Sequence, residues 1–195
     1  VRGFTWVDTR SKTLDLVVCI DTSRSMLVED MKPNRLSRAK REVVALLDHL
    51  KGDRIALVGF SGDVRDVTPL TRDRKTLRFF LESMSPGDNQ LGGTDIGGAL
   101  ERALEIFDGR TGASEAIILL TDGLPTQGAA APGRKTVSGK ERLGHFDRAL
   151  GQLPRGVPVN IILFPMEGDP EAAALFWQTA LDTKGAFIAP SRDWP

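Results

Sequence analysis

Three short segments of this chain carry side chains suited to holding a hard cation. Asp21-Thr22-Ser23-Arg24-Ser25 follows one apolar run, and Thr121-Asp122-Gly123 follows another. Gly92-Gly93-Thr94-Asp95 stands just before a stretch with helical spacing. Carboxylate and hydroxyl oxygens suit Mg²⁺ or Mn²⁺, and no thiol or imidazole stands among them. Mg²⁺ takes six oxygens at about 2.1 Å and readily keeps some of its water. The hydroxyls of Ser23, Ser25 and Thr94, the carboxylates of Asp21 and Asp122, and water meet that demand and leave one position open. Ca²⁺ suits this set less well. Each residue also has a plainer reading. Asp21 and Ser23 can cap a turn by bonding local backbone, Thr94 or Asp95 can be a helix N-cap, and Asp122-Gly123 can be a turn. It is the three segments together, in one topology, that point to a metal.

The elements that must position them alternate between strand and helix. Leu14 to Ile20 (LDLVVCI), Asp53 to Phe60 (DRIALVGF), Ala116 to Leu120 (AIILL) and Val157 to Phe164 (VPVNIILF) are short apolar runs, as expected of strands buried on both faces. Val64 to Val67 reads as a short edge strand. Arg35 to Leu50 has helical spacing, with Leu36, Ala39, Val43, Leu46, Leu47 and Leu50 on one face. Pro33-Asn34 signals its start and Gly52 its stop. A second long helix follows Thr94 and presents Ile96, Ala99, Leu100, Ala103 and Phe107. Further helices are expected over Thr76 to Met84, His145 to Leu153 and Glu171 to Leu181. Such alternation predicts an α/β, Rossmann-like fold whose mostly parallel central sheet is flanked by helices on both faces. Ligands bind at the carboxyl ends of strands in such sheets, which directs attention to the residues just after Ile20, Phe60 and Leu120. Gly123 to Lys140, rich in Gly, Pro and small residues, reads as a long exposed loop, mobile or partner-facing.

Asp21-x-Ser23-x-Ser25, then Thr94, then Asp122 resembles the metal-ion-dependent adhesion site of von Willebrand factor A (VWA) and integrin I domains. The resemblance covers most of the chain, so residues 1–195 read as a single VWA domain with a core of about 14–190. It is closest to the bacterial aerotolerance-type VWA proteins that accompany MoxR-type ATPases, along Asp21 to Met26, Glu29 to Ala39, Gly52 to Gly62, Pro69 to Thr71, Gly93 to Leu100 and Ile118 to Gly123. The resemblance implies that Ser23 and Ser25 bind the metal directly and that Thr94 does so when a ligand is present. It implies that Asp21 and Asp122 act largely through bound water. A metal with few direct carboxylates stays electron-poor and accepts an acidic side chain from a partner protein. A MoxR-type AAA+ ATPase system is an implied partner, and the cell envelope or periplasm is the implied setting rather than the cytoplasm. Two departures stand out. Arg24 occupies a place where a small residue is usual, and the 123–140 loop is long.

Composition narrows the function classes further. The 195 residues carry 26 Lys plus Arg and 26 Asp plus Glu, which argues against nucleic acid or a polybasic membrane surface as the main partner. No apolar stretch approaches the ~20 residues that span a bilayer, and no signal peptide is visible. The start at Val1 reads as an excised or processed piece. The single cysteine, Cys19, reads as a buried inert thiol. His49 and His145 read as surface or packing residues, away from the three segments. Glu29-Asp30 reads as a solvated turn, Phe176 and Trp177 as core, and Trp6 and Trp194 as terminal aromatics that pack together. The leading expectation is a divalent-metal-dependent protein-binding module. The alternative is a Mg²⁺-dependent phosphoryl-transfer or hydrolytic enzyme. Against it stand the lack of a general base near the three segments and of a GxxxxGK[ST] phosphate loop.

Overall fold

The computed structural model describes residues 13–50, 52–109, 112–126, 137–151, 153, 156–165 and 171–191. Six strands, β1 (Thr13–Asp21), β2 (Arg54–Phe60), β3 (Val64–Thr71), β4 (Ala113–Thr121), β5 (Val159–Leu163) and β6 (Phe187–Ile188), form one sheet in the order β3-β2-β1-β4-β5-β6. Five helices cover it: α1 (Arg35–His49), α2 (Arg74–Ser83), α3 (Ile96–Ile106), α4 (Gly139–Gly151) and α5 (Ala172–Thr183). A 3-10 turn, Arg24–Leu27, follows β1. All neighbouring strands are parallel except β2 and β3, so the expected mostly parallel α/β sheet is present.

Alternate residues of β1 divide the core. Leu16, Val18 and Ile20 pack with Leu36, Val43 and Leu47 of α1 and Leu77 and Leu81 of α2. Val17 and Cys19 pack on the other side with Ala99 and Leu100 of α3, Phe146 of α4 and Phe176 of α5. A strand covered on both faces favours apolar side chains at nearly every position, which is why these segments read as near-continuous apolar runs; the buried exception in β1, Asp15, is paired with Arg54. Cys19 is fully buried, its thiol lies 3.6 Å from the Ala99 carbonyl, and burial pushes its pKa up to about 12. A thiol so far from ionisation is inert.

Several elements differ from the sequence expectation. Strand β3 continues past Val67 to Thr71, through Pro69. An edge strand tolerates proline because one side of its ladder has no partner strand, and the Thr68 hydroxyl accepts the Leu57 N–H at 3.1 Å where the β2–β3 register slips. Helix α2 begins at Arg74, two residues early, because Asp73 caps it by accepting the Lys75 and Thr76 N–H groups. Helix α4 begins at Gly139, six residues ahead of His145. There Ser138 and Glu141 form a reciprocal capping box. The expected 123–140 loop therefore ends before Gly139, and its residues 127–136 lie outside the described ones, as do Trp6 and Trp194. Phe176 is buried but Trp177 is 52 % exposed, because consecutive helical side chains point about 100° apart and only one of the two can face the sheet. Among the described residues, no helix is long and apolar enough to cross a membrane.

Strand β1 lies between β2 and β4. The chain leaves β1 through α1 to β2 on one side and later enters β4 on the other. The loops leaving the carboxyl ends of β1 and β4 therefore diverge and open a crevice between them. Asp21 is the last residue of β1 and Asp122 the first after β4.

Candidate metal centre

Asp21 is completely buried and both its oxygens are engaged. Oδ1 accepts the Ser23 N–H at 2.8 Å and Oδ2 accepts the Thr121 hydroxyl at 2.8 Å. The first bond is the local turn contact that the plain reading anticipates. The second joins residues one hundred positions apart and exists only because β1 and β4 are adjacent and in register. The Ser23 and Ser25 hydroxyls lie 2.9 Å apart, and Ser25 Oγ donates to Asp122 Oδ1 at 3.0 Å. Ser23, Ser25 and Asp122 thus form one continuous polar chain across the crevice, with Asp21 bonded to the Ser23 backbone at its end.

Thr94 reaches the same edge along a different path. Its N–H donates to the Thr126 hydroxyl at 2.8 Å, and its carbonyl accepts the Thr126 N–H at 3.0 Å. The next residue, Asp95, donates its N–H to the Ser61 carbonyl at 2.6 Å. Thr94 is thereby held between the loops that leave β2 and β4. The cap of α3 is Asp95, which accepts the Gly98 N–H at 3.0 Å. Thr94 is therefore not the cap, and its hydroxyl is not committed to that task. Gly98 leaves room for this arrangement, since a Cβ there would stand 2.6 Å from Asp95 Oδ2 and 3.1 Å from Val64.

The surroundings show why the two aspartates matter electrostatically. Burial, reinforced by the nearby Asp122 charge, pushes Asp21 up to about 7, against the bonds from Ser23 and Thr121 that favour its ionised form. Asp122 and Asp30 share the Arg35 guanidinium, while Asp21 accepts its bonds from the neutral Ser23 N–H and Thr121 hydroxyl. A dication would offset the repulsion between Asp21 and Asp122, and the side chains of the row offer hard oxygens. The residues present therefore fit a small divalent ion. Among the described residues there is no group of three or more His, Cys, Asp and Glu side chains arranged to hold a metal, so such an ion depends on hydroxyls and water as well as carboxylates.

Two features escaped the sequence reading. Arg35 is buried and pairs with both Asp122 and Asp30, which makes Glu29-Asp30 more than a solvated turn. A signal for it existed: a cation in the first turn of a helix opposes the helix dipole and calls for an acidic partner. A second set, Thr22, Asn89 and Asp63, closes the loop over β2: Thr22 Oγ1 donates to Asn89 Oδ1 at 2.9 Å, and Asn89 Nδ2 donates to the Asp63 carbonyl at 2.8 Å. His145 packs on α4 as a partly buried residue, and Asp95 is the weakest of the influences on its charge. Its Nδ1 faces Arg148 at 2.7 Å, and burial with that cation lowers its pKa. His49 sits apart, its Nδ1 against the Ala45 carbonyl. Arg24 is exposed beside Ser23.

Comparison with known proteins agrees with this architecture. A curated relative from Mycolicibacterium paratuberculosis, a UPF0353 protein, is 28% identical over 156 residues, 78% of this chain and 45% of its own length. This chain spans less than half the length of the curated relatives it matches. The crystal structure of BatB from Bacteroides thetaiotaomicron is similar with a TM-score of 0.70 and 27% identity, over 90% of this chain and 89% of that one. An aerotolerance-related membrane protein from Bacteroides fragilis superposes with a TM-score of 0.69 and 26% identity, over 91% and 92% of the two chains. The family model of the von Willebrand factor type A domain matches residues 16–124, a stretch that contains Asp21, Ser23, Ser25, Thr94 and Asp122. The chain belongs to the von Willebrand factor type A domain family.

Proposed function

We propose that this domain binds Mg²⁺ or Mn²⁺ at the crevice between β1 and β4 and uses the metal's open position to hold an acidic side chain of a partner protein. VWA domains are in general interaction modules rather than enzymes. The observation that carries the metal is the hydrogen-bonded row Ser23–Ser25–Asp122, flanked by the buried Asp21, whose carboxyl Asp122 repels. Ser23 and Ser25 bind the ion directly. Asp21, with both oxygens already accepting bonds, acts through water, and Asp122 offers one oxygen toward the hydroxyls. A protein partner is favoured by the apolar side chains beside the row. Leu27 and Val28 follow Ser25 closely and Leu91 precedes Thr94, and they are 46 %, 44 % and 48 % exposed. Apolar surface around a charged contact is how protein interfaces exclude water. A MoxR-type AAA+ ATPase system is the partner the sequence resemblance suggests. The cell envelope is the proposed setting, in keeping with the description of the similar B. fragilis protein as a membrane protein.

Thr94→Ala separates a ligand from a structural residue. The variant melts within about 1 kcal/mol of the parent, since only one hydroxyl is lost and Asp95 keeps the cap. An acidic peptide binding in the presence of Mg²⁺, and released by EDTA, loses about tenfold in affinity, or ~1.4 kcal/mol. Metal binding alone falls less. A lower melting temperature with unaltered peptide affinity removes Thr94 from the site.

The interaction reading expects phosphatase, phosphodiesterase and ATPase assays with Mg²⁺ or Mn²⁺ to stay at background. Turnover that disappears in Asp21→Ala establishes the enzyme instead.

A further inference from the structure

Arg35 is 4 % exposed, unusual for a residue at the first position of a helix. Its backbone is fixed by its own N–H donating to the Val28 carbonyl at 3.2 Å and by the Asn34 cap on α1. Its guanidinium makes three bonds in one plane. Nε donates to Asp30 Oδ1 at 2.9 Å, and the two terminal nitrogens donate to Asp30 Oδ2 at 2.6 Å and Asp122 Oδ2 at 2.7 Å. Asp30 thus holds the fork in a set orientation, and the remaining arm grips Asp122. The consequence for Asp122 is a division of labour between its oxygens. Oδ2 is occupied by the guanidinium, while Oδ1 accepts from Ser25 and faces the hydroxyl row.

We propose that Arg35 is a positioning residue that sets which cation the crevice accepts. Ca²⁺ takes six to eight oxygens at 2.3–2.6 Å and often draws both oxygens of one carboxylate, whereas Mg²⁺ is content with six at about 2.1 Å, several of them water. With Oδ2 withheld, Asp122 is kept from moving out of its water-mediated role into a direct two-oxygen contact, so the row stays short of oxygens for Ca²⁺ but not for Mg²⁺ or Mn²⁺. Arg suits this task better than Lys. Its planar fork fixes Asp122 through Asp30, where a lysine ammonium is a point charge that swings.

This inference rests on the metal-binding reading above, and the experiment keeps the two apart. Mg²⁺ and Ca²⁺ are titrated by calorimetry into the parent, Arg35→Met, Arg35→Lys and the double variant Asp30→Asn/Arg35→Met, with melting followed in each. The double variant removes the Asp30 charge together with the guanidinium that faces it. The parent is expected to prefer Mg²⁺. The Mg²⁺/Ca²⁺ affinity ratio is expected to shift toward Ca²⁺ at least tenfold in both Met variants, and by at least threefold in Arg35→Lys. If neither Met variant folds, Arg35→Lys, which keeps the buried charge, decides by the same ratio. A ratio unchanged in a folded variant, with Mg²⁺ still bound by the parent, overturns the selector role and leaves the metal site standing. A parent that binds neither ion overturns the metal site and the selector together.

Discussion

Asp21→Ala and Asp122→Ala are each expected to take Mg²⁺ and Mn²⁺ binding below detection by calorimetry, with affinity falling on the order of a hundredfold. Each substitution removes a carboxylate that offsets the dication in a buried setting, where charge is least screened. The two variants part company in stability. Asp122→Ala deprives the Arg35 guanidinium of one of its two carboxylate partners and costs about 1–3 kcal/mol, moderated because Asp30 still holds the other face of the fork. Asp21→Asn is close in shape but neutral. It removes the repulsion between Asp21 and Asp122, so in EDTA at alkaline pH it melts above the parent while binding no metal. Affinity unchanged in both Asp21→Ala and Asp122→Ala sinks the metal site as drawn.

The second large effect is a pH-dependent response to metal removal. Burial and the Asp122 charge hold the Asp21 carboxyl up near 7, against an ordinary value of 3.8. Between those values the folded, metal-free protein binds more protons than the unfolded chain, so its stability falls as pH rises from about 4 to about 7. Above that window the full cost of the buried charge is present. Metal binding at the proposed site is expected to run the other way, because the ion would need the ionised carboxyl and its binding would release the proton. An ion that binds only the folded state stabilises it in proportion to the logarithm of its concentration over its dissociation constant. The gap in melting temperature between millimolar Mg²⁺ and EDTA is therefore small near pH 5.5 and widest near pH 8, and Asp21→Asn closes it at both. A gap of equal size at both pH values shows that Asp21 does not couple proton and metal.

Much of the scaffold was legible in the chain because it depends on local pattern. Near-continuous apolar runs such as Leu14 to Ile20 become strands buried on both faces, and the Asn34 cap marks the start of α1 through a bond to Ser37, three residues on. The placement of Asp21, Ser23, Ser25 and Asp122 on one edge followed from the strand–helix order, since parallel strands put all their carboxyl ends on the same side. Interactions between distant residues could not be read this way. That Thr121 orients Asp21, and that Arg35 reaches across 87 positions to Asp122, depends on strand order and register, which no local window contains. The same holds for Trp177, turned outward although its neighbour Phe176 is core. The types of oxygen available to a cation were written in the sequence. Which oxygen of Asp122 faces the site was decided only by the tertiary structure, because a buried guanidinium from another element claims the other one.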